Sequence, residues 1–163
     1  MLFTSTHKTP VGQLSLIARD QILLAAGFRG VEDLIVRLDE ADALLGFKNV
    51  RNIPVISELV SDYFDGDLTA FNGIKVRQPG AEFSQAIWKV MRKIPAGKML
   101  SYAELAARAG SPAAVRAAGS ACGRNLIAPI IPCHRIVKTG GDLGNYGYGL
   151  EIKRALLEFE GAI

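Results

Sequence analysis

The sequence predicts an α+β fold, with a small sheet-and-helix domain over residues 1–80 and a mainly helical domain over residues 81–163. Apolar and polar side chains alternate through the first 28 residues, as they do in half-buried strands. Helical periodicity dominates from residue 82 onward. Between the two patterns, "RQPG" ends at Gly80 with a Pro-Gly break that is typical of a domain boundary.

The first domain contains three predicted strands, two helices and a last strand. "LFTSTH" and "QLSLIAR" flank the turn "TPVG", and "ILLAAGF" follows after "RD". Helical periodicity covers Val31–Leu45 and Val55–Gly66, and "FNGIKVRQPG" predicts the closing strand. The acidic residues of this half fall on solvated helix faces, so we assign no catalytic group to it.

The second domain begins with an amphipathic helix and continues with a helix-turn-helix candidate. "EFSQAIWKVMRKI" has an apolar stripe, and Trp88 is interpreted as a core residue. Ser101 and Glu104 have the spacing of a capping box, and that helix stops at Gly110. Ser111 is the predicted cap of the next helix, with Pro112 at its first position. The stripe residues are Phe83, Ile87, Val90, Met91 and Ile94.

The second helix of this pair, Ala113–Gly123, is made almost entirely of small residues. Gly119 and Gly123 each cost about 1 kcal/mol against alanine inside a helix, which suits a backbone that closely approaches another surface. That surface is either another helix or a nucleic acid, with Arg116 as the one long protrusion. The charge distribution favours DNA, because residues 81–163 carry eleven Lys/Arg against six Asp/Glu, whereas residues 1–80 carry eight against ten.

Composition excludes several other classes of protein. No apolar run approaches the ~20 residues of a transmembrane helix, and no secretion signal opens the chain, so we expect a cytoplasmic protein that does not bind membranes. Cys122 and Cys133 cannot form a disulfide framework. The two cysteines and two histidines lack zinc-ligand spacing, which gives little support for a zinc site.

The apolar run "IIPCHRIV" contains the candidate nucleophile, Cys133, next to His134. Pro132 is favoured at the first position of a helix, where unsatisfied N–H groups would stabilise a thiolate. Neighbouring side chains diverge, so a water would have to relay the thiol proton to the imidazole. Taken alone, the pair is either an activated nucleophile or a buried cysteine beside an incidental histidine.

A carboxylate for orienting the histidine is found in "LEIKRALLEFEG". Its predicted apolar stripe is Ile152, Ala155, Leu156 and Phe159. Glu160 leans toward the interior and lies in the last turn, where the helix dipole disfavours an anion. A carboxylate in an unfavourable place suggests a functional role.

The motif "PCHR" resembles the active-site motif of the O6-alkylguanine-DNA alkyltransferases, the methylated-DNA–protein-cysteine methyltransferases. "FSQAIWKVMRKIPAGKMLSYAELAARAGSPAAVRAAGSACGRN" resembles that family's helical block, and "GNYGYGLEIKRALLEFEG" its closing loop and helix, so that the resemblance covers residues 82–161. It implies a ribonuclease-H-like N-terminal domain and a winged-helix-like C-terminal domain.

The resemblance also implies an irreversible, single-turnover transfer of the alkyl group from O6 of guanine to Cys133. His134 would act as general base through a water, oriented by Glu160. Asn125 would be the hinge residue that ties the recognition helix to the active-site turn. No cofactor is implied, and because the zinc-ligand set of some family members has no counterpart in this sequence, we predict no metal.

Six further residues are implied as contacts with DNA or the base. Arg116 would enter the base stack that the damaged nucleotide has left, and Tyr102 would push that nucleotide out. The remaining four are Ser101, the carbonyl of Ile136, Tyr146 and the backbone of Gly147. The partner implied is double-stranded DNA carrying O6-alkylguanine, read through the minor groove by a monomer, with O4-alkylthymine left open.

One position departs from the family pattern, and three rival functions remain. Leu126 stands where the family usually has proline, and Pro129 follows instead. Cys122 is interpreted as packing. The rivals are an alkyltransferase-like protein that only flags damage, a cysteine hydrolase or thiol redox enzyme, and a plain helix-turn-helix regulator.

Overall fold

The computed structural model describes all residues, 1–163, and they form two compact units. The first unit comprises residues 1–79 together with residues 126–130, and the second comprises residues 80–125 and 131–163. The chain therefore leaves the second unit after Asn125, contributes five residues to the first, and returns just before the segment that carries Cys133. A single domain boundary at residue 80 therefore does not account for residues 126–130, which belong to the first unit.

A five-stranded sheet organises the first unit, in the order β4-β1-β2-β3-β5. The central three strands are antiparallel, and Thr9 pairs with Gly12 across the first turn, as "TPVG" predicts. The two outer strands pair in parallel with β1 and β3. The strands are β1 (Leu2–Thr9), β2 (Gly12–Arg19), β3 (Ile22–Gly27), β4 (Phe47–Asn49) and β5 (Lys75–Val76).

Three helices accompany this sheet: α1 (Val31–Ile35), α2 (Glu40–Ala43) and α3 (Ile56–Phe64). The prediction of α3 is confirmed, but the prediction of one continuous helix over Val31–Leu45 is wrong. Periodicity treated every apolar residue of that stretch as a core position, whereas two of them, Val36 and Leu44, are about four-fifths exposed, at 81% and 80%.

The separate α2 carries the buried carboxylate of Asp42, which accepts two 2.9 Å hydrogen bonds from the Arg77 guanidinium. This ion pair joins residues 35 positions apart. Local propensity cannot report a contact between residues so far apart along the chain.

Residues 126–130 are held to the first unit by the backbone of β3. The Ala26 N–H donates to the Leu126 carbonyl at 2.8 Å, and the Ala128 N–H donates to the Ala26 carbonyl at 3.1 Å. The Leu126 side chain joins the apolar core, and its N–H donates to Gln78 Oε1 at 2.5 Å. Proline has no N–H, so the residue found in place of the family's usual proline makes a bond that proline could not make.

The second unit contains four helices and a two-stranded parallel sheet, so the predicted α+β class with a mainly helical second half is confirmed. Trp88 is buried as predicted, and its ring N–H donates to the Ala121 carbonyl at 2.9 Å. The helices are α4 (Glu82–Arg92), α5 (Tyr102–Arg108), α6 (Val115–Gly123) and α7 (Leu150–Phe159), and the strands are β6 (Leu100–Ser101) and β7 (Ile136–Val137). None of the helices in the chain combines the length and the apolar character needed to cross a bilayer.

Two helix starts in this unit test the capping predictions. The capping box of α5 is confirmed, with the Glu104 N–H at 3.0 Å from Ser101 Oγ and the Ser101 N–H at 3.1 Å from Glu104 Oε1. The predicted cap of α6 at Ser111 is wrong, because Ala114 holds the N-cap position and Pro112 lies in the turn before it. The Ala114 N–H bonds to the Ser111 carbonyl at 2.9 Å and closes that turn.

Candidate active site

The second unit contains a cavity of about 540 Å³ lined largely by residues with small side chains. Helix α6 supplies one wall, because its small residues leave space that larger side chains would fill. Cys133 lies in the lining, together with a segment that precedes α7. The lining residues are Tyr102, Arg116, Gly119, Ser120, Cys122, Gly123, Cys133, Asn145, Tyr146 and Gly147.

Cys133 opens a single 3-10 turn, Cys133–Arg135, with Pro132 at its N-cap position. The prediction that Pro132 begins an α-helix is therefore wrong, because the chain enters β7 immediately after this turn. The Asn125 amide, two residues after α6 ends, donates to the Ile131 carbonyl at 2.8 Å and to Cys133 Sγ at 3.4 Å. Asn125 thus connects the small-residue helix to the thiol, and its donor faces the atom that would become negative.

His134 and Glu160 are both buried and in contact. His134 Nε2 lies 3.0 Å from Glu160 Oε2, and both side chains are fully buried. Burial lowers the pKa of His134 more than the neighbouring carboxylate raises it, so the ring is neutral. A carboxylate only accepts, so Nε2 carries the proton and Nδ1 carries the lone pair. Nδ1 makes no hydrogen bond within the protein and is the basic atom of the pair.

Glu160 stays ionised although it is buried at the C-cap of α7. Burial alone raises the pKa of this carboxyl, but hydrogen bonds from His134 and Arg135 outweigh burial and lower the pKa to about 2. The expectation that Glu160 turns inward despite the helix dipole is confirmed by its burial. The charge is stabilised by its partners and not by its position in the helix.

Arg135 is the residue of this cluster that the sequence analysis missed. Its Nε and Nη2 donate to the two oxygens of Glu160 at 2.9 and 2.7 Å, and its Nη1 donates to the Ile94 carbonyl at 2.6 Å. This bidentate pair fixes the carboxylate that holds His134. An arginine inside the apolar run "IIPCHRIV" was the available signal, since a buried charge requires a partner.

Tyr102, the first residue of α5, lines the cavity. Burial is the main cause that raises its pKa to about 12, so its hydroxyl remains protonated and can donate to a ligand. Gly144, with φ of 77°, lies against the ring: a methyl group there would come within 3.2 Å of it. Glycine at this position therefore permits the close approach between this loop and the tyrosine.

Of the other residues predicted to contact DNA or the base, some line the cavity and others do not. Arg116 lines the cavity and is exposed, and Tyr146 and Gly147 are in the lining. Ser101 and Ile136 are not in the lining. The Ile136 side chain is buried, and its carbonyl accepts a hydrogen bond from Lys153 at 2.6 Å.

Cys122 is the second thiol in the cavity wall, and its environment differs from that of Cys133. Burial is the main cause that raises the pKa of Cys122 to about 12, so it stays protonated at neutral pH. Its sulfur lies 3.8 Å from Met91 Sδ, as expected of a packing residue. Neither cysteine forms a disulfide, and nowhere in the chain do three His, Cys, Asp or Glu side chains gather as a metal site requires.

Comparison with known proteins identifies relatives of the whole chain. Residues 82–162 match the family described as 6-O-methylguanine DNA methyltransferase, DNA binding domain. A methylated-DNA–protein-cysteine methyltransferase of Methanosarcina mazei is 39% identical over 85% of this chain and 89% of its own length. The enzyme of the same name from Mycolicibacterium paratuberculosis is 36% identical over 98% of this chain and 93% of its own length.

A solved structure agrees along the whole length. The crystal structure of the Mycobacterium tuberculosis O6-methylguanine methyltransferase superposes with a TM-score of 0.82 at 33% identity, covering 99% of this chain and 94% of that one. The same protein has also been solved in complex with DNA, and that structure superposes equally well, with a TM-score of 0.82.

Proposed function

The chain belongs to the methylated-DNA–protein-cysteine methyltransferases, and we propose on that premise that it repairs DNA by moving an alkyl group from O6 of guanine onto Cys133. The observation that carries the proposal is the position of Cys133 in the wall of a cavity, with Asn125 bonded to its sulfur. The cavity, of about 540 Å³, lies in the size range of ligand pockets.

The transfer is a direct displacement at carbon. The thiolate of Cys133 attacks the alkyl carbon, the carbon–oxygen bond breaks, and its electron pair stays on guanine O6. The thiol proton passes through a water to His134 Nδ1, the basic nitrogen of the buried pair, and a proton returns to the departing guanine. The products are a thioether and unmodified guanine, and because thioethers resist hydrolysis each molecule acts once.

The surrounding residues receive the following roles. Glu160 and Arg135 keep His134 in the tautomer whose Nδ1 is basic. Asn125 holds the turn and donates to the sulfur. Tyr102 keeps its proton and is available to donate to the base. Tyr146 and Gly147 contact the flipped guanine. Ser101 and the Ile136 carbonyl, which lie outside the cavity lining, are the remaining proposed contacts with the DNA or the base.

Helix α6 is the proposed DNA-binding element. Its small residues allow close approach to the minor groove, and Arg116 fills the place of the extruded nucleotide. Extrusion is required because an alkyl group within the duplex is out of reach of any side chain, and it costs a few kcal/mol. Reduced thiols are needed for the reaction, which supports a cytoplasmic location.

Incubation with duplex DNA containing O6-methylguanine is expected to add the mass of one methylene to the peptide that contains Cys133. Peptide mass spectrometry measures the adduct, and unmodified duplex of the same sequence is the control. One adduct per protein molecule is expected. A thiol that stays unmodified would contradict transfer, and more than one repaired base per protein molecule would indicate a hydrolase.

The substitution Arg116→Ala is expected to slow repair of duplex DNA by about tenfold, because Arg116 no longer offsets part of the free energy that extruding the nucleotide costs. A tenfold change corresponds to about 1.4 kcal/mol. Transfer from free O6-methylguanine should change by less than about twofold, since no base has to be extruded. Arg154→Ala, which removes an exposed arginine of α7 outside the cavity, is the matched control. Equal losses on duplex and free base would contradict the role of Arg116.

A further inference from the structure

Lys153 is a fully buried charged residue that the mechanism above does not use. It lies on α7 seven residues before Glu160, so the two buried charges occupy the same face of the helix. Burying an ammonium costs several kcal/mol unless hydrogen bonds replace its water. Of the apolar stripe predicted for α7, Leu156 is fully buried, whereas Ile152, Ala155 and Phe159 are only partly buried. The buried positions of α7 are Lys153, Leu156, Leu157 and Glu160.

The ammonium joins two segments that meet at the cavity. Nζ donates to the Ile136 carbonyl at 2.6 Å and to the Asn145 carbonyl at 3.2 Å. Ile136 directly follows the turn that carries Cys133, and Asn145 precedes the lining residues Tyr146 and Gly147. One side chain therefore connects the nucleophile segment to the loop that supplies Asn145, Tyr146 and Gly147 to the cavity wall.

Both partners of the ammonium are neutral carbonyls, so the positive charge is not neutralised by a hydrogen-bonded carboxylate. The titratable groups that face it are Cys133 on the 3-10 turn, Cys122 on α6 and His134. His134 is neutral, and Cys122 keeps its proton. Glu160, on the same helix, is bonded to His134 and Arg135. The positive charge favours ionisation of both thiols, but burial keeps Cys122 protonated, so Cys133 is the thiol on which the charge can act at neutral pH.

Burial is the main cause that lowers the pKa of Lys153 to about 8, while the nearby thiols, when ionised, raise it. Lysine thus remains mainly protonated at pH 7. An ammonium in a poorly solvated site acts on a neighbouring thiolate more strongly than it would in water.

We propose that Lys153 is a positioning residue for the transfer reaction, which ties the Ile136 and Asn145 carbonyls together and holds a positive charge toward the Cys133 thiolate. Its role in repair rests on the proposed function. Its effect on the thiolate does not, because small electrophiles measure thiolate formation without DNA.

The substitution Lys153→Met removes the charge and the donors but keeps an unbranched side chain. We expect the pH midpoint of Cys133 alkylation by iodoacetamide to rise by about one pH unit, a roughly tenfold loss of thiolate. Lys153→Arg, which restores a cation, should return the midpoint to within about 0.3 pH unit of wild type. Peptide mass spectrometry separates Cys133 from Cys122, and Arg154→Met, on the exposed face of α7, is the matched control.

The same variants separate chemistry from binding. With saturating alkylated duplex, Lys153→Met should transfer at least about tenfold more slowly, while the dissociation constant for DNA changes by less than about twofold. A Lys153→Met midpoint equal to that of wild type overturns the proposal. A wild-type protein that takes no alkyl group from DNA contradicts the proposed function instead, and the iodoacetamide midpoint still reports on Lys153.

A measurement on the wild-type protein applies even if Lys153→Met does not fold. Linkage is reciprocal, so if Lys153 favours the thiolate, the thiolate must favour the ammonium. Capping Cys133 with iodoacetamide should therefore lower the pH midpoint of the Lys153 side-chain NMR signal. A midpoint that is unchanged by capping overturns the proposal, because a purely structural lysine would not respond to the charge on Cys133.

Discussion

Cys133→Ala is expected to abolish alkyl transfer while leaving the affinity for alkylated duplex DNA within about twofold of wild type. The substitution removes the cavity thiol that Asn125 contacts and leaves α6 and Arg116 in place. The other thiol of the cavity cannot take over, because burial keeps Cys122 protonated, with a pKa raised to about 12. Transfer is followed by peptide mass spectrometry, and binding by fluorescence anisotropy of labelled duplexes with and without the lesion.

Cys122→Ala is the matched control for this experiment, because it removes the second thiol of the same cavity. We expect it to transfer within about threefold of the wild-type rate, with the adduct on Cys133. A methyl group appearing on Cys122 of the Cys133→Ala protein would contradict the assignment of the acceptor. An affinity that is the same for duplexes with and without the lesion would instead indicate a helix-turn-helix regulator.

Glu160→Gln is expected to slow transfer by about a hundredfold, because it impairs the general base His134 and a general base typically contributes at least about that factor. The neutral amide leaves the buried Arg135 guanidinium without its counter-charge and no longer fixes the tautomer of His134. Thiolate formation should then require higher pH, which the iodoacetamide midpoint of Cys133 measures. A rate and a midpoint that both match wild type would remove Glu160 from the proton relay.

The same substitution should destabilise the fold, because breaking a buried ion pair typically costs about 3–5 kcal/mol. Urea denaturation measures the loss. Asp42→Asn is the matched control, since it removes a carboxylate whose arginine partner, Arg77, is 44% exposed, and about 1 kcal/mol is expected there. A loss at Glu160 no larger than the loss at Asp42 would contradict the structural role of the buried cluster.

Glu160 also sets how the protein responds to acid. Its pKa is about 2 in the folded protein against an ordinary value of 4.5, so its stabilisation is fully present above about pH 4.5 and is lost as the pH falls toward 2. The lowered pKa of His134 acts in the same direction below its ordinary value of 6.5, since the unfolded chain binds that proton first. The free energy of unfolding of Glu160→Gln should therefore depend less on pH below about 4.5. Parallel curves for variant and wild type would contradict this.

Much of the fold and the nucleophile could be predicted from the chain because the signals are local. Strand alternation, the Ser101–Glu104 capping box and the burial of Trp88 each depend on residues within one or two turns of one another. "PCHR" alone left a buried cysteine open, and the resemblance over residues 82–161 implied that Cys133 is the acceptor. Glu160 was found because a carboxylate turned inward at a helix end conflicts with local electrostatics.

The sequence by itself thus determined the fold class, and it identified Cys133 as the candidate nucleophile and Glu160 as the candidate partner of His134. Only the tertiary structure decided what holds that pair and the segment of Cys133 in place: Arg135 on Glu160 and Lys153 between two carbonyls. It also decided that residues 126–130 belong to the first unit. Periodicity treats every lysine, arginine and glutamate as a surface residue. A buried charge is stable only beside its partners. The partners of Arg135 lie 25 residues away at Glu160 and 41 residues away at Ile94, so folding alone brings them together.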